Sequence, residues 1–197
     1  YLVTGPGADN IGQQSGGWTI SWQGTGNTNA DFPGATSIFG GLKHQLEAAG
    51  GSVTTDESAE VDAAIFVFGE TPYAEMQGDV YSVAWYDQRA ERSRMKALKD
   101  RGIPVVAVFL TGRPMWVNDI LNLSDAFVVS WLPGSEGQGV ADVLLRDADG
   151  GVQHDFTGRL PMPWPALDVN AADRDLPVDA FAFPIGYGLS VTDSVAW

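Results

Sequence analysis

Apolar and polar positions along this chain fall into two alternating rhythms. Ala64-Ile65-Phe66-Val67-Phe68, Val105-Val106-Ala107-Val108-Phe109-Leu110 and Ala126-Phe127-Val128-Val129-Ser130-Trp131 run without polar alternation. Such runs predict strands covered on both faces, as in a parallel sheet. Tyr1-Leu2-Val3-Thr4-Gly5 reads as the tail of another buried strand. Between the runs lie helical patterns. Ile38 to Ala49 places Leu42, Leu46 and Ala49 on one stripe; a polar segment from about Ala84 to Asp100, then Trp116 to Leu121 and Gly139 to Arg146, read as further helices. Strand and helix patterns alternate, with Gly and Pro mostly between them. The expected fold class is therefore α/β: a doubly wound, mostly parallel sheet flanked by helices, with right-handed crossovers. Ligands of such sheets bind beyond the carboxyl ends of the strands, so the chemistry is expected in the segments that follow each strand.

The 197 residues suit a single domain over 1–197, large enough to bury a core without disulfides or metals. The chain opens inside a strand, with no initiator Met and no leader ahead of it, so we expect a fragment of a longer protein. With 25 acidic and 11 basic side chains the net charge is −14, which repels phosphate backbones and anionic lipid and argues against nucleic-acid and membrane partners. No apolar run approaches the ~18 residues of a spanning helix. The absence of Cys excludes thiol catalysis and Cys-type zinc sites while leaving the redox compartment open. Seven Trp and 24 Gly favour a neutral ligand with flat apolar faces, such as a sugar ring.

The strand-end segments differ in the chemistry they offer. Gly5-Pro6-Gly7-Ala8-Asp9-Asn10-Ile11-Gly12 lacks the G-x-G-x-x-G spacing, and Pro6 removes an amide, so it reads as a tight turn and not a dinucleotide loop. Gly16-Gly17-Trp18-Thr19-Ile20-Ser21-Trp22-Gln23-Gly24 carries two Trp in a Gly-flanked loop; one is expected to be exposed as a platform for a pyranose face, although Trp more often serves core packing. Gly69 to Asp79 holds three carboxylates, Glu70, Glu75 and Asp79, in one loop. A general acid with a pKa raised by burial or a like charge could sit there, and so could an acidic loop that is merely solvated. Glu70 adjoins the strand and is placed to anchor the loop. Glu75 lies five residues out, up to roughly 17 Å when extended, and is the better proton donor. Ser135 and Glu136 read as a loop entering a helix. His44 and His154 stand outside the strand-end loops and out of metal-ligand spacing, as surface or packing residues.

In order along the chain, Ala8-Asp9-Asn10, Gly16-Gly17-Trp18-Thr19-Ile20 with Trp22-Gln23-Gly24, Gly69-Glu70 with Pro72-Tyr73 and Glu75, Gly78-Asp79, Gly112-Arg113-Pro114, Trp131-Leu132-Pro133-Gly134-Ser135-Glu136-Gly137-Gln138-Gly139, Gly158-Arg159-Leu160-Pro161 and Gly186-Tyr187-Gly188-Leu189 resemble the second domain of family 3 glycoside hydrolases. The likeness is nearest to the β-glucan exohydrolases and β-glucosidases. It implies a flavodoxin-like α/β sandwich that follows a barrel domain carrying an aspartate nucleophile, absent from this chain. The acid/base is then implied to be Glu75, two residues after the Pro72-Tyr73 pair. Trp22 is implied to be one wall of the leaving-group subsite, with Trp18 as buried support. The implied reaction is retaining hydrolysis of terminal β-D-glucosyl residues of a β-glucan or of cello- or laminari-oligosaccharides, with no organic cofactor and no metal, in a periplasmic or secreted enzyme. An isolated domain, holding an acid without a nucleophile, is expected to be inactive. Two rivals stand beside this reading: a non-catalytic carbohydrate-binding or scaffolding module, which would need Trp22 but not Glu75, and a flavodoxin-like nucleotide binder, which would need a phosphate loop.

Overall fold

The computed structural model describes residues 1–85, 89–168, 177, 180–193 and 195. Four parallel strands stand where the apolar runs predict them: β1 (Leu2–Thr4), β2 (Ala64–Gly69), β3 (Val105–Leu110) and β4 (Ala126–Trp131), hydrogen-bonded in that order. Successive side chains on a strand point to opposite faces. On one face Phe66, Phe68 and Phe109 pack under α3 (Arg89–Asp100) and α4 (Asn118–Leu121), meeting Met95, Leu98 and Ile120. On the other, Val3, Val67 and Val108 pack under α2 (Ile38–Ala48) and α5 (Gly137–Leu144), meeting Leu42, Leu46 and Ala141. Leu42 and Leu46 of the expected stripe are buried, whereas Ala49 is exposed just past the helix.

A single bridge explains why the helices divide between two faces. Thr54 pairs in parallel with Leu2 on the free side of β1; the Val3 N–H donates to Thr54 O at 3.0 Å and the Thr54 N–H to Tyr1 O at 2.9 Å. The chain leaves β1 outward through α2 to Thr54, returns across β1 to β2, then steps the other way through α3 and α4. Reversing direction while changing face keeps one hand for every crossover. The order reverses between β1 and β2, which makes that position the switch point of the sheet.

Tertiary contacts displace several expected boundaries. Ala84 and Trp85 do not begin a helix. Ala84 bridges Trp116 in parallel, the Trp116 N–H donates to Val83 O at 2.9 Å, and the Trp85 ring is buried with its centroid 5.0 Å from that of Phe68. The same bridge holds Trp116 extended, so α4 starts only at Asn118. The α5 helix starts early, at Gly137, where a Cβ would stand 2.3 Å from the Ser37 carbonyl carbon; the missing side chain lets this turn sit directly on the start of α2. The β4 strand is half-buried where two-sided cover is expected, because it forms the edge of the sheet among the described residues. Three elements are too short to show a period in sequence: α1 (Ile11–Ser15), capped by Asn10 Oδ1 accepting the Gln13 N–H at 2.9 Å, and the antiparallel pair β5 (Trp164–Pro165) and β6 (Phe181–Phe183).

One polar tie fastens α3 to the β1 and β2 strands. Arg94 forms an ion pair with Glu57, its guanidinium lies 4.9 Å from the Phe66 ring centroid, and Thr4 Oγ1 donates to Glu57 Oε1 at 2.8 Å. Desolvation pushes the Glu57 carboxyl up, but hydrogen bonds from Arg94 and Thr4 and the Arg94 charge outweigh it and hold the group below its ordinary value. A carboxyl lowered in the folded state contributes stability that is complete above its unfolded pKa and is lost as pH falls through the folded one. Acidification from about pH 6 to about pH 3 should therefore lower the Tm of the chain. Arg94→Met should melt lower than the parent near neutrality and converge on it toward about pH 3. A Tm gap that stays constant across that titration would show that the ion pair does not carry the pH dependence.

Candidate active site

The segments after β1, β2, β3 and β4 gather at the carboxyl edge of the sheet, and the three carboxylates of the β2 segment take up different environments. Glu70, the first residue past β2, turns inward, with its side chain 10% exposed. Its carboxylate accepts from Thr111 Oγ1 at 2.6 Å and from Arg113 Nε at 2.9 Å, both carried just beyond β3, and from the Tyr73 hydroxyl at 3.3 Å. Arg113 also donates to Gly78 O at 2.7 Å and lies 4.1 Å over the Tyr73 ring. Burial, then the Glu70 charge, pushes the Tyr73 hydroxyl up to about 12, so it remains a donor at neutral pH. Glu70 is thus an anchor, as its place next to the strand implies. A cleft of about 500 Å³ opens beside it at the switch point, bounded by Asn10, Gln13, Tyr73, Glu91 and Arg113.

Glu75 is exposed and opens a tight turn in which the Gly78 N–H donates to Ala74 O at 2.8 Å and the Gln77 N–H to Glu75 O at 3.0 Å. The loop is folded and clamped, in place of the extended reach expected from its length. Trp22 Nε1 donates to Glu75 Oε2 at 2.7 Å. Gln23 accepts the Ala74 N–H through Oε1 at 2.7 Å and donates through Nε2 to Glu75 O at 2.9 Å. The Trp22 N–H, followed by the Glu75 amide, holds the carboxyl below its ordinary value, and the Trp18 indole adds a smaller effect of the same sign. The raised value expected of a general acid is therefore not supplied by this chain: Glu75 is solvated, and its ionised form is the one that accepts these donors. Asp79 is exposed at the far end of the turn.

The double-Trp loop owes its course to glycine. A Cβ on Gly17 would stand 1.9 Å from Tyr73 O, and one on Gly24, at φ +72°, 2.1 Å from Gly16 O. Main chain therefore fills the space beneath the loop, and the Trp18 N–H closes it by donating to Trp22 O at 2.8 Å. No room is left below for an indole. Trp18, expected as buried support, is instead 70% exposed, more than Trp22 at 46%. The two rings form an open aromatic corner, with centroids 6.2 Å apart and planes at 47°. Trp18, Ile20 and Met76 have φ of 59°, 61° and 71°, a left-handed backbone that is a genuine outlier for β-branched Ile20 and costs about 1–3 kcal/mol at each position.

The remaining candidates keep their structural roles. The Gly5-Pro6-Gly7-Ala8 turn is closed by the Ala8 N–H donating to Gly5 O at 3.2 Å and is tied to β2 by the Gly7 N–H donating to Val67 O at 3.0 Å. Ser135 hydrogen-bonds Glu136 on the way into α5, and the buried Gln14 ties this loop to the start of α2 by donating to Gly134 O at 3.0 Å and accepting the Ile38 N–H at 2.9 Å. His44 and His154 are exposed. Among the described residues no three His, Cys, Asp or Glu gather as metal ligands, and no helix is long and apolar enough to cross a membrane. The residue that motif reading passed over is Gln23: its only sequence signal is its place between Trp22 and Gly24, and its partners lie 51 and 52 residues away.

Residues 1–191 match the model of the glycosyl hydrolase family 3 C-terminal domain. A lysosomal beta glucosidase of Dictyostelium discoideum is 31% identical over 186 residues, 83% of this chain and 22% of that protein. A periplasmic beta-glucosidase of Salmonella typhimurium is 33% identical over 78 residues, 39% of this chain and 9% of that protein. Among solved structures, an exo-1,3/1,4-beta-glucanase from a Pseudoalteromonas species superposes with a TM-score of 0.89 at 51% identity, over 98% of this chain and 25% of that one. The chain thus spans a quarter or less of the length of each of these proteins.

The loop geometry separates two neighbouring substitutions. Trp18→Ala removes an exposed ring and should change the unfolding free energy of the chain by no more than about 0.5 kcal/mol. Gly17→Ala drives a methyl into the Tyr73 carbonyl and should cost about 1–3 kcal/mol. Denaturant titration of the two variants measures both; a larger loss for Trp18→Ala than for Gly17→Ala would place the ring inside the fold.

Proposed function

Because the chain belongs to the glycosyl hydrolase family 3 C-terminal domain family, we propose that it is the second domain of a retaining, exo-acting β-glucan glucohydrolase or β-glucosidase. In this reading it contributes the acid/base Glu75 and, in Trp22, an aromatic wall of the leaving-group subsite. The observation that carries the reading is the hydrogen bond between the exposed Trp22 indole and the Glu75 carboxylate, held together on clamped loops beyond the strand ends. A module that only bound carbohydrate would use the indoles and have no role for the carboxylate between them.

The nucleophile belongs to a barrel domain of the same polypeptide. Its Asp attacks the anomeric carbon as the glycosidic C–O bond breaks, and Glu75 gives its proton to the departing oxygen. Glu75 then takes a proton from the water that opens the glycosyl-enzyme, which restores both carboxyls. Retaining chemistry sets the two carboxyls ~5–5.5 Å apart. That approach supplies what the chain alone lacks, because a like charge and the loss of water both raise the Glu75 pKa from its lowered starting value. The exposed Trp18, Ile20 and Met76, each held in left-handed backbone, offer apolar side chains suited to docking against the barrel. The Pseudoalteromonas structure is named for 1,3- and 1,4-linked glucan, which supports a β-glucan or cello- or laminari-oligosaccharide as substrate here. The Salmonella relative supports a periplasmic or secreted location.

In the full-length enzyme, Glu75→Gln should lower kcat/KM for unactivated glucans by about 10²- to 10⁴-fold. Aryl glucosides with acidic phenols should still glycosylate the enzyme, and azide should restore their turnover and yield β-glucosyl azide. Azide rescue of Glu70→Gln or Asp79→Asn in place of Glu75→Gln would move the acid/base role to that residue. Trp22→Ala should raise KM for oligosaccharides more than for small aryl glucosides, by about 1–3 kcal/mol if sugar stacking matches base stacking. Equal effects on both substrates would remove Trp22 from the subsite.

A further inference from the structure

Residues 22 and 23 hold Glu75 from two sides. Trp22 takes the carboxylate, and Gln23 takes the main chain on either side of the Glu75 Cα: its Oε1 accepts the Ala74 N–H at 2.7 Å and its Nε2 donates to Glu75 O at 2.9 Å. One planar amide therefore bridges the first N–H and the last carbonyl of the Ala74-Glu75 dipeptide, pinning the main chain at both ends. The bridge comes from a different loop, and that loop is itself locked against the turn, because Gly17 lies too close to Tyr73 O for any side chain.

The turn does not need Gln23 in order to form. It closes on its own Gly78-to-Ala74 and Asp79-to-Met76 hydrogen bonds, and its root is tied to β3 through Glu70, Thr111 and Arg113. What Gln23 adds is registration: it sets where the turn, and with it the Glu75 carboxyl, stands relative to the double-Trp corner. We propose that Gln23 is a positioning residue for the acid/base, fixing the backbone of Glu75 so that its carboxyl meets the glycosidic oxygen of a sugar seated against Trp22. This inference rests on Glu75 being the acid/base. Displacement of about 1 Å at a reacting group can cost on the order of a hundredfold in rate.

The test uses Gln23→Met in the full-length enzyme, which keeps the length and bulk of the side chain and removes both hydrogen bonds. We expect kcat/KM for laminari- or cello-oligosaccharides to fall about 10- to 100-fold, while kcat/KM for an aryl glucoside with an acidic phenol stays within about threefold, since that leaving group needs little protonation. Azide should raise the turnover of the activated substrate. Gln23→Glu, which still accepts the Ala74 N–H but cannot donate to Glu75 O, should fall between the parent and Gln23→Met, and it supplies the reading if Gln23→Met proves unstable. In the Glu75→Gln background Gln23→Met should cause little further loss, because the two residues act through one proton transfer. A purely structural role would lower both substrates together along with Tm; that result, no loss on either substrate, or a further loss of about tenfold or more in the Glu75→Gln background overturns the inference. If Glu75→Gln alone shows neither leaving-group selectivity nor azide rescue, the acid/base reading fails and this one falls with it. If Glu75→Gln shows both and Gln23→Met shows neither, only the role of Gln23 is refuted.

Discussion

Burial of β2 and β3 on both faces is the constraint from which the site follows. Ala64 to Phe68 and Val105 to Leu110 offer no polar face, so helices must cover the sheet above and below, and parallel strands with helical returns send every outgoing loop to the same edge. The double-Trp loop, the acidic turn, the Arg113 turn and the Leu132 loop are neighbours for that reason, although they are spread across more than a hundred residues of chain. The Thr54 bridge adds the reversal of strand order that opens a crevice between the loops after β1 and β2.

At that edge two glutamates in one short loop meet opposite environments. Glu70 sits where desolvation is severe and is matched by a guanidinium, two hydroxyls and an amide, an arrangement that holds a buried charge in place. Glu75 sits where water reaches it, with two indoles and, among the described residues, no ion-paired cation. A carboxyl in that position can change its protonation when its surroundings change. Proximity in sequence therefore says little about role, and the charges each side chain meets say a great deal.

The strained residues show how the loop presents its apolar groups. Glycines at 17 and 24 bring main chain against main chain, and the indoles between them have only the outside to occupy. Trp18 and Ile20 accept left-handed backbone there, as Met76 does in the facing acidic turn, and all three project apolar surface to solvent. Exposure of that kind, at the same edge as the proposed acid/base, is the sort of surface that another domain would cover.

The strands, three of the helices to within a few residues, the fold class and the anchoring part of Glu70 were legible in sequence. Unbroken apolar runs and helical stripes report burial directly, and a carboxylate next to a strand end has few places to go. The start of α3, the burial of Trp85, the exposure of Trp18 and the partnership of Gln23 with Ala74 and Glu75 were decided only in three dimensions. Each depends on contact between segments distant in the chain: the Trp116 bridge overrides a helical period, and the Tyr73 carbonyl closes the space into which Trp18 would have turned. Local pattern records which face of an element is buried, but it holds no record of which backbone atom from another loop will be there first.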